Sequence, residues 1–433
     1  MRDILIFAIV FGSLPFIVKR PVVGVLMYTW LSLMNPHRLT YGAAYDFPFA
    51  AIIAAVTLCS LLFSVQPKRI PLTSVTAMLL TFVVWMNLTT LVALEPELAW
   101  KEWDRVMKTF FMTAIAILAL HTEKDIKQYV LVLAVSLGFY GFKGGIFTLA
   151  SGGTSHVVGP PFTYIGDNNA LALAMVTALP LVWYLRLQAQ KKWLRFGITG
   201  VAVLTVMAIV GSYSRGALVA TVAMMVFLWL KSRNKLRIFL AVLLIVPVIY
   251  AVMPDKWFGR METIDNYKED ASAMGRINSW EFATNVAKNN FMGGGYRVFT
   301  PKMFLVYAPN PLIFFDAHSI YFQVLGEHGF IGLCLFLSLM FYAWRTGTRI
   351  IKFCRNRTDL KWAEDLASMC QVSIIGFAVG GAFLTLAYYD LYYFIIVALV
   401  TLDKLLLPKF AERENTSASI AMPPGPTKPG NPA

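Results

Sequence analysis

Apolar runs of membrane-crossing length follow one another through almost the whole chain, and nothing else in the sequence limits the fold so tightly. GITGVAVLTVMAIV and TVAMMVFLWL, for instance, are parted only by GSYSRGALVA. A helix needs roughly 17–25 mainly apolar residues to cross hydrocarbon. A bilayer holds no water to satisfy backbone N–H and C=O groups, so a crossing segment is a helix or a strand of a closed barrel. Barrel strands alternate apolar and polar residues, and these runs do not. With 58% of residues hydrophobic and 14% charged, the chain is also too apolar for one soluble core of 433 residues. The expected class is an all-α polytopic membrane protein.

The formal net charge is +14, but its distribution carries the information. Basic residues gather in short loops: Lys68 and Arg69; Lys191, Lys192 and Arg195; Lys231, Arg233, Lys235 and Arg237; then Arg345, Arg349, Lys352, Arg355, Arg357 and Lys361. Cytoplasmic loops of membrane proteins carry such an excess of lysine and arginine. The pattern therefore orients the chain and argues against a nucleic-acid partner. Helices are expected at 47–65, 74–94, 106–121, 128–150, 168–188, 196–211, 216–231, 238–253, 319–344, 367–386 and 391–407. Residues 3–34 read as two short crossings or one broken one, interrupted by Pro15 and by Lys19-Arg20-Pro21. The expectation is about 12 crossings, with 35–46, 95–105, 151–167, 212–215, 254–317 and 387–390 on the outside. The organisation is then membrane helices over 1–253, a long outside loop over 254–317, membrane helices over 318–411 and a disordered cytoplasmic tail over 412–433. Within the long loop, MGRINSWEFATNVAKN has apolar residues at helical spacing. The tail is rich in Pro, Gly and Ser, which cannot bury a core. None of the four cysteines pairs with another in an outside segment, so no disulfide is expected. The N-terminus lacks a small-residue cleavage site after its apolar arm, so it is expected to be retained.

Three outside residues stand out. Arg215 ends the turn Gly211-Ser212-Tyr213-Ser214, where hydroxyls and free N–H groups flank a guanidinium at the start of a helix. Helix N-termini attract anions, and the arginine fork matches two phosphate oxygens; Ser214 supports that site. The plainer alternative is an arginine snorkelling to headgroups. Arg276, with Trp280 one helical turn on, reads as a second phosphate ligand beside an aromatic platform for a sugar, or as a surface arginine packed on tryptophan. His318 stands where the long loop returns to the membrane. An imidazole titrates near pH ~6.5 and can take a proton from a hydroxyl; a helix-capping histidine is the alternative. Asp390, at an outside turn, is a candidate to orient His318 or a cation. Asp167 heads a helix, as a plain N-cap or as a supporting group of the site, and Lys143 adds positive potential or snorkels. Glu327 would lie about 13 Å deeper than His318 on a straight helix and reads as a structural pairing inside the bundle. No Asp-x-Asp, HExxH, paired-cysteine or P-loop pattern occurs, so neither a metal nor another cofactor is expected.

These motifs come in an order that resembles a known family. S-x-S-R-G over Ser212 to Gly216, G-R-x-x-x-W over Gly275 to Trp280, G-G-G-Y over Gly293 to Tyr296 and H-S-x-x-x-x-x-L-G-E-x-G over His318 to Gly329 look like the O-antigen ligase and polymerase superfamily. The likeness is clearest over 200–345. The N-terminal part, with GFKGGIFTLASGG and VVGPPFTYIGDNNALALA, resembles ligase-like proteins of exosortase-carrying bacteria that are described as O-glycosylation ligases. The resemblance implies a GT-C-like helix bundle in the Gram-negative inner membrane, with the long loop and the active site in the periplasm. It also implies a metal-independent, inverting transfer of a glycan from undecaprenyl diphosphate to the lipid A-core oligosaccharide.

The expected chemistry follows. A cleft opens between the helices at 196–231 and 319–344 under the 254–317 loop. Arg215 and Arg276 hold the diphosphate, and His318 takes the proton of the acceptor hydroxyl. Three alternatives stay open: a polymerase that uses a second lipid-linked glycan as acceptor, a protein O-glycosyltransferase, and a non-enzymatic lipid-glycan transporter.

Overall fold

The computed structural model describes residues 1–231, 235–262 and 271–421, and among these the regular elements are all helices. The ambiguous N-terminus forms two helices, α1 (Arg2–Lys19) and α2 (Pro21–Met34). They are separated at Arg20, whose backbone is extended at φ −146° and ψ 104°. Pro21 then sits where its missing N–H costs nothing, at the first position of α2. There follow α3 (Phe49–Phe63), α4 (Ser74–Leu91), α5 (Pro96–Ala119), α6 (Glu123–Ala150), α7 (Asn168–Gln188), α8 (Lys192–Gly211), α9 (Arg215–Lys231) and α10 (Lys235–Val252). Three shorter helices come next, α11 (Asp255–Glu262), α12 (Ala271–Asn289) and α13 (Pro301–Tyr307). The long helices α14 (Ile320–Cys354), α15 (Lys361–Gly381) and α16 (Asp390–Ala421) complete the chain.

Among the described residues, six helices are long and apolar enough to cross a membrane: α4, α6, α7, α8, α14 and α16 over Asp390–Pro408. This is consistent with a polytopic membrane protein. Length and composition do not reach the expected dozen, for physical reasons. Helices α2 and α3 are short, α9 has 17 residues, and α5 and α15 open with charged turns. Helix α5 begins ten residues before the expected 106, because Pro96 starts a polar helical turn, PELAWKEWDR, that the apolar signal does not register. The tail expected to be disordered from Glu412 is helical through Ala421. The Pro-rich run starts only at Pro423, and residues 422–433 lie outside the described residues. Helices α7 and α16 form the centre, each with 78% of its apolar window buried, whereas α4 and α8 reach 39% and lie at the edge.

Helix α14 is broken at Gly329, where φ is 68° and ψ is −172°. That conformation is essentially confined to glycine. A break strands the carbonyls of the preceding turn, which must find partners when buried. They find them in a loop far away in sequence. Gly294 N–H donates to the Gly326 carbonyl at 2.8 Å, and Gly295 N–H donates to that of Glu327 at 2.8 Å. The Trp85 indole N–H donates to the His328 carbonyl at 2.9 Å. Contact this close requires glycine in the loop: at Gly293, with φ 77°, a Cβ would stand 2.4 Å from the Gly329 nitrogen. Glu327 fastens the same junction. Its two carboxylate oxygens accept the Arg297 backbone N–H at 2.9 Å and the Tyr388 hydroxyl at 2.6 Å. The structural pairing expected for Glu327 is thus with neutral donors.

Gly293→Ala should destabilise the protein by about 1–3 kcal/mol or more, the cost of strained backbone at a crowded position. Gly12→Ala, where an added Cβ meets nothing within 4 Å, should change stability by no more than ~0.5 kcal/mol. Thermal unfolding of both variants in detergent checks the difference.

Candidate active site

The turn that carries Arg215 is held from four sides. The Ser212 hydroxyl donates to the Ile209 carbonyl at 2.6 Å, closing α8. The Asn168 amide donates to the Ser212 carbonyl at 2.7 Å. Tyr213 takes a left-handed φ of 60° and buries its ring with Val210, Met253 and Trp257. Its hydroxyl donates to the Gly153 carbonyl at 2.5 Å. The Ser214 hydroxyl accepts from Ala217 N–H at 3.3 Å, so Ser214 is the N-cap of α9. Half-buried Arg215 is the first residue of that helix. Gly216 abuts Phe383, whose Cβ would be 3.0 Å from an added Cβ. The head of α9 therefore rests on the 382–389 turn between α15 and α16.

Arg276 is placed by a row of bonds that zips α12 to the segment leading into His318. Asn278 donates to the Asn310 and Ile313 carbonyls at 2.9 and 2.7 Å and accepts Asn310 N–H at 2.9 Å. The Ser279 hydroxyl donates to the Phe315 carbonyl at 3.0 Å. The Trp280 indole donates to the Ala317 carbonyl at 2.9 Å, and its ring stacks on Phe322 at 5.0 Å and 7°. One face of Trp280 is thus occupied, and its indole N–H fastens the segment before His318.

His318 has a left-handed φ of 43°, and its N–H donates to the Thr385 hydroxyl at 2.8 Å. That places it against the same 382–389 turn that meets Gly216. Partial burial, then the positive charge of Arg276, push its imidazole below the ordinary value of 6.5; the carboxylates of Asp316 and Asp167 act the other way. Arg276, His318, Asp316 and Asp167 therefore share one electrostatic neighbourhood. Asp167 also caps α7, accepting from Asn169 and Ala170 N–H at 2.8 and 3.0 Å. The next residue, Asn168, holds the Arg215 turn.

Two expected contributors lie elsewhere. Asp390 turns into the bundle, where it accepts the Thr109 hydroxyl at 2.6 Å and is also hydrogen-bonded by Ser32. It is 6% exposed and does not orient His318, because partners on α5 and α2 draw it inward. Lys143 lies on an outward face of α6 among exposed Phe139, Phe142, Ile146 and Phe147. That is a snorkelling position. Asp316 and Thr385 were missed. Asp316 is next to Ala317 in DAHS and its proximity to His318 was open to inspection; Thr385 joins across 67 residues and has no local signal. No three His, Cys, Asp or Glu side chains among the described residues converge as a metal site.

His318 should titrate below pH 6.5. Because the Arg276 charge disfavours imidazolium, Arg276→Gln should raise that midpoint; Asp167→Asn should lower it. NMR titration of the imidazole in detergent-solubilised protein reads both signs.

Comparison with known families covers the chain in two stretches. Residues 1–190 match a family of unknown function (DUF5935), which lends no specific support to the resemblance of this part to O-glycosylation ligases. No curated protein matches the chain at a significant level. Arg215, Arg276 and His318 all fall in the second stretch: residues 200–337 match the O-antigen ligase family model.

Proposed function

We propose that the protein is an O-antigen ligase: a metal-independent, inverting glycosyltransferase that moves a glycan from undecaprenyl diphosphate to the lipid A-core oligosaccharide. The observation that carries this reading is His318, held by Thr385 and sharing its surroundings with Arg276, beside the turn on which the Arg215 helix rests. All three side chains lie within the matched domain. In this reading the bundle is GT-C-like, with about 12 crossings in the Gram-negative inner membrane. The 382–389 turn and the α11–α13 segment face the periplasm.

The neutral His318 imidazole accepts the proton of the acceptor hydroxyl as that oxygen bonds to the anomeric carbon. The anomeric bond to the diphosphate oxygen breaks on the opposite face, inverting the centre, and the lipid diphosphate leaves with the electron pair. Arg215 and Arg276 meet the charge that grows on it, each contact contributing about 3–4 kcal/mol in the transition state. The imidazolium then returns its proton to water. Burial and Arg276 both disfavour the protonated imidazole, which suits a base. A second reading, polymerisation onto another lipid-linked glycan, draws support from a second pair of outside guanidinium groups at Arg105 and Arg297.

Purified protein mixed with a lipid-diphosphate glycan and candidate acceptors, without added metal, tests the proposal. Wild type should shift lipopolysaccharide on a gel. Long lipid-linked chains would favour polymerisation, and a glycosylated protein would favour protein transfer. His318→Ala should bind the donor yet lose at least ~100-fold in turnover. Arg215→Lys, which keeps charge but loses the fork, should lose ~10²-fold or more; an unchanged rate would reduce Arg215 to headgroup snorkelling.

A further inference from the structure

A second polar cluster lies beside the first and takes no part in the mechanism above. The Arg105 guanidinium carbon stands 3.6 Å from the centre of the Tyr164 ring. At that separation the two planes must lie nearly face to face, which leaves the guanidinium N–H groups directed outward from the edge. The Tyr164 hydroxyl donates to Glu102 at 3.5 Å, and the other Glu102 oxygen is 3.9 Å from Nε of Arg297. Glu102 thus links the Tyr164 hydroxyl to Arg297, and Asp390 and Glu327 also act on Tyr164. Glu102 is largely enclosed at 15%, whereas the Arg297 side chain is 59% exposed, so the carboxylate steadies a fork that faces outward.

Neither arginine is there by accident of a loose surface. Arg105 is set by α5 and by its ring partner. Arg297 has a left-handed φ of 59°, and its N–H is bound by Glu327 at the break in α14. Tyr164 is three residues before Asp167, which acts on His318. Three residues span at most about 10–11 Å, roughly two sugar rings. We propose that Arg105, Tyr164 and Arg297 form an acceptor subsite that binds a phosphate group on the glycan receiving the transfer. A phosphate dianion fits two guanidinium groups better than a single carboxylate does. The phosphate has two sources, a monoester on a core oligosaccharide or the diphosphate of a second lipid-linked glycan. The inference rests on the ligase reading and adds the acceptor chemistry to it.

The test gives full-length protein in detergent one lipid-diphosphate donor and three acceptors: a phosphorylated core oligosaccharide, the same one after phosphatase treatment, and a second polyprenyl-diphosphate glycan. Wild type should show an acceptor KM at least ~10-fold lower for one phosphate-bearing acceptor than for the dephosphorylated one, and which acceptor it is names the source. Arg105→Lys and Arg297→Gln should each erase most of that preference while moving the donor KM less than ~2-fold. Thermal melting confirms that the variants fold, and Arg297→Lys replaces any that does not. Transfer with no preference for phosphate, or variants that keep the preference, or variants that weaken the donor instead, overturns the inference alone. Absence of glycan transfer to every acceptor overturns the reading beneath it.

Discussion

The break in α14 is the constraint on which the rest of the loop-rich end depends. An unbroken helix would satisfy its own carbonyls and leave the Gly293–Tyr296 loop with nothing to hold. The turn at Gly329 instead offers buried acceptors at Gly326, Glu327 and His328, filled by Gly294, Gly295 and Trp85. Leaving such groups unmet would cost about 1–3 kcal/mol each. Helix α14, the loop after α12 and helix α4 are therefore obliged to meet at one place.

From that junction the contacts run outward to the charged groups. Glu327 binds Tyr388, and Gln323 accepts Ala387 N–H at 3.0 Å, so the 382–389 turn lies along the first turns of α14. The same turn offers Thr385 to His318 and packs Phe383 on Gly216. Side chains from α9, α12 and the start of α14 are thus referred to a common support. Such support matters for the proposed chemistry, because a base and its anion clamps act only when held near their working geometry.

Much of this was legible in the sequence where the signal is local. Apolar runs gave most helix positions within a few residues, and Asp167 before α7 reads as a cap from residue type alone. What was not legible depends on partners distant in the chain. LGEHGFIG looks like continuous helix, and only the glycine loop some 30 residues earlier shows why it breaks. Asp390 reads as a turn residue from its neighbours, but Thr109, 281 residues away, draws it inward. Trp280 reads as a platform open on both faces, whereas Phe322 covers one of them. The polar opening of α5 hid Arg105 and Glu102 from an apolar-run reading, and their pairing with Tyr164 and Arg297 joins residues distant in the chain.

The central claim is that one cavity at this end holds a pyrophosphoryl lipid between two guanidinium groups and presents its sugar to one imidazole. An electron cryomicroscopy structure with a non-hydrolysable polyprenyl-diphosphate sugar bound tests it most directly. The account predicts phosphate oxygens about 3 Å from both Arg215 and Arg276, with the His318 ring across the anomeric carbon from the diphosphate. Density for the diphosphate away from either arginine, or a sugar out of reach of His318, would contradict it.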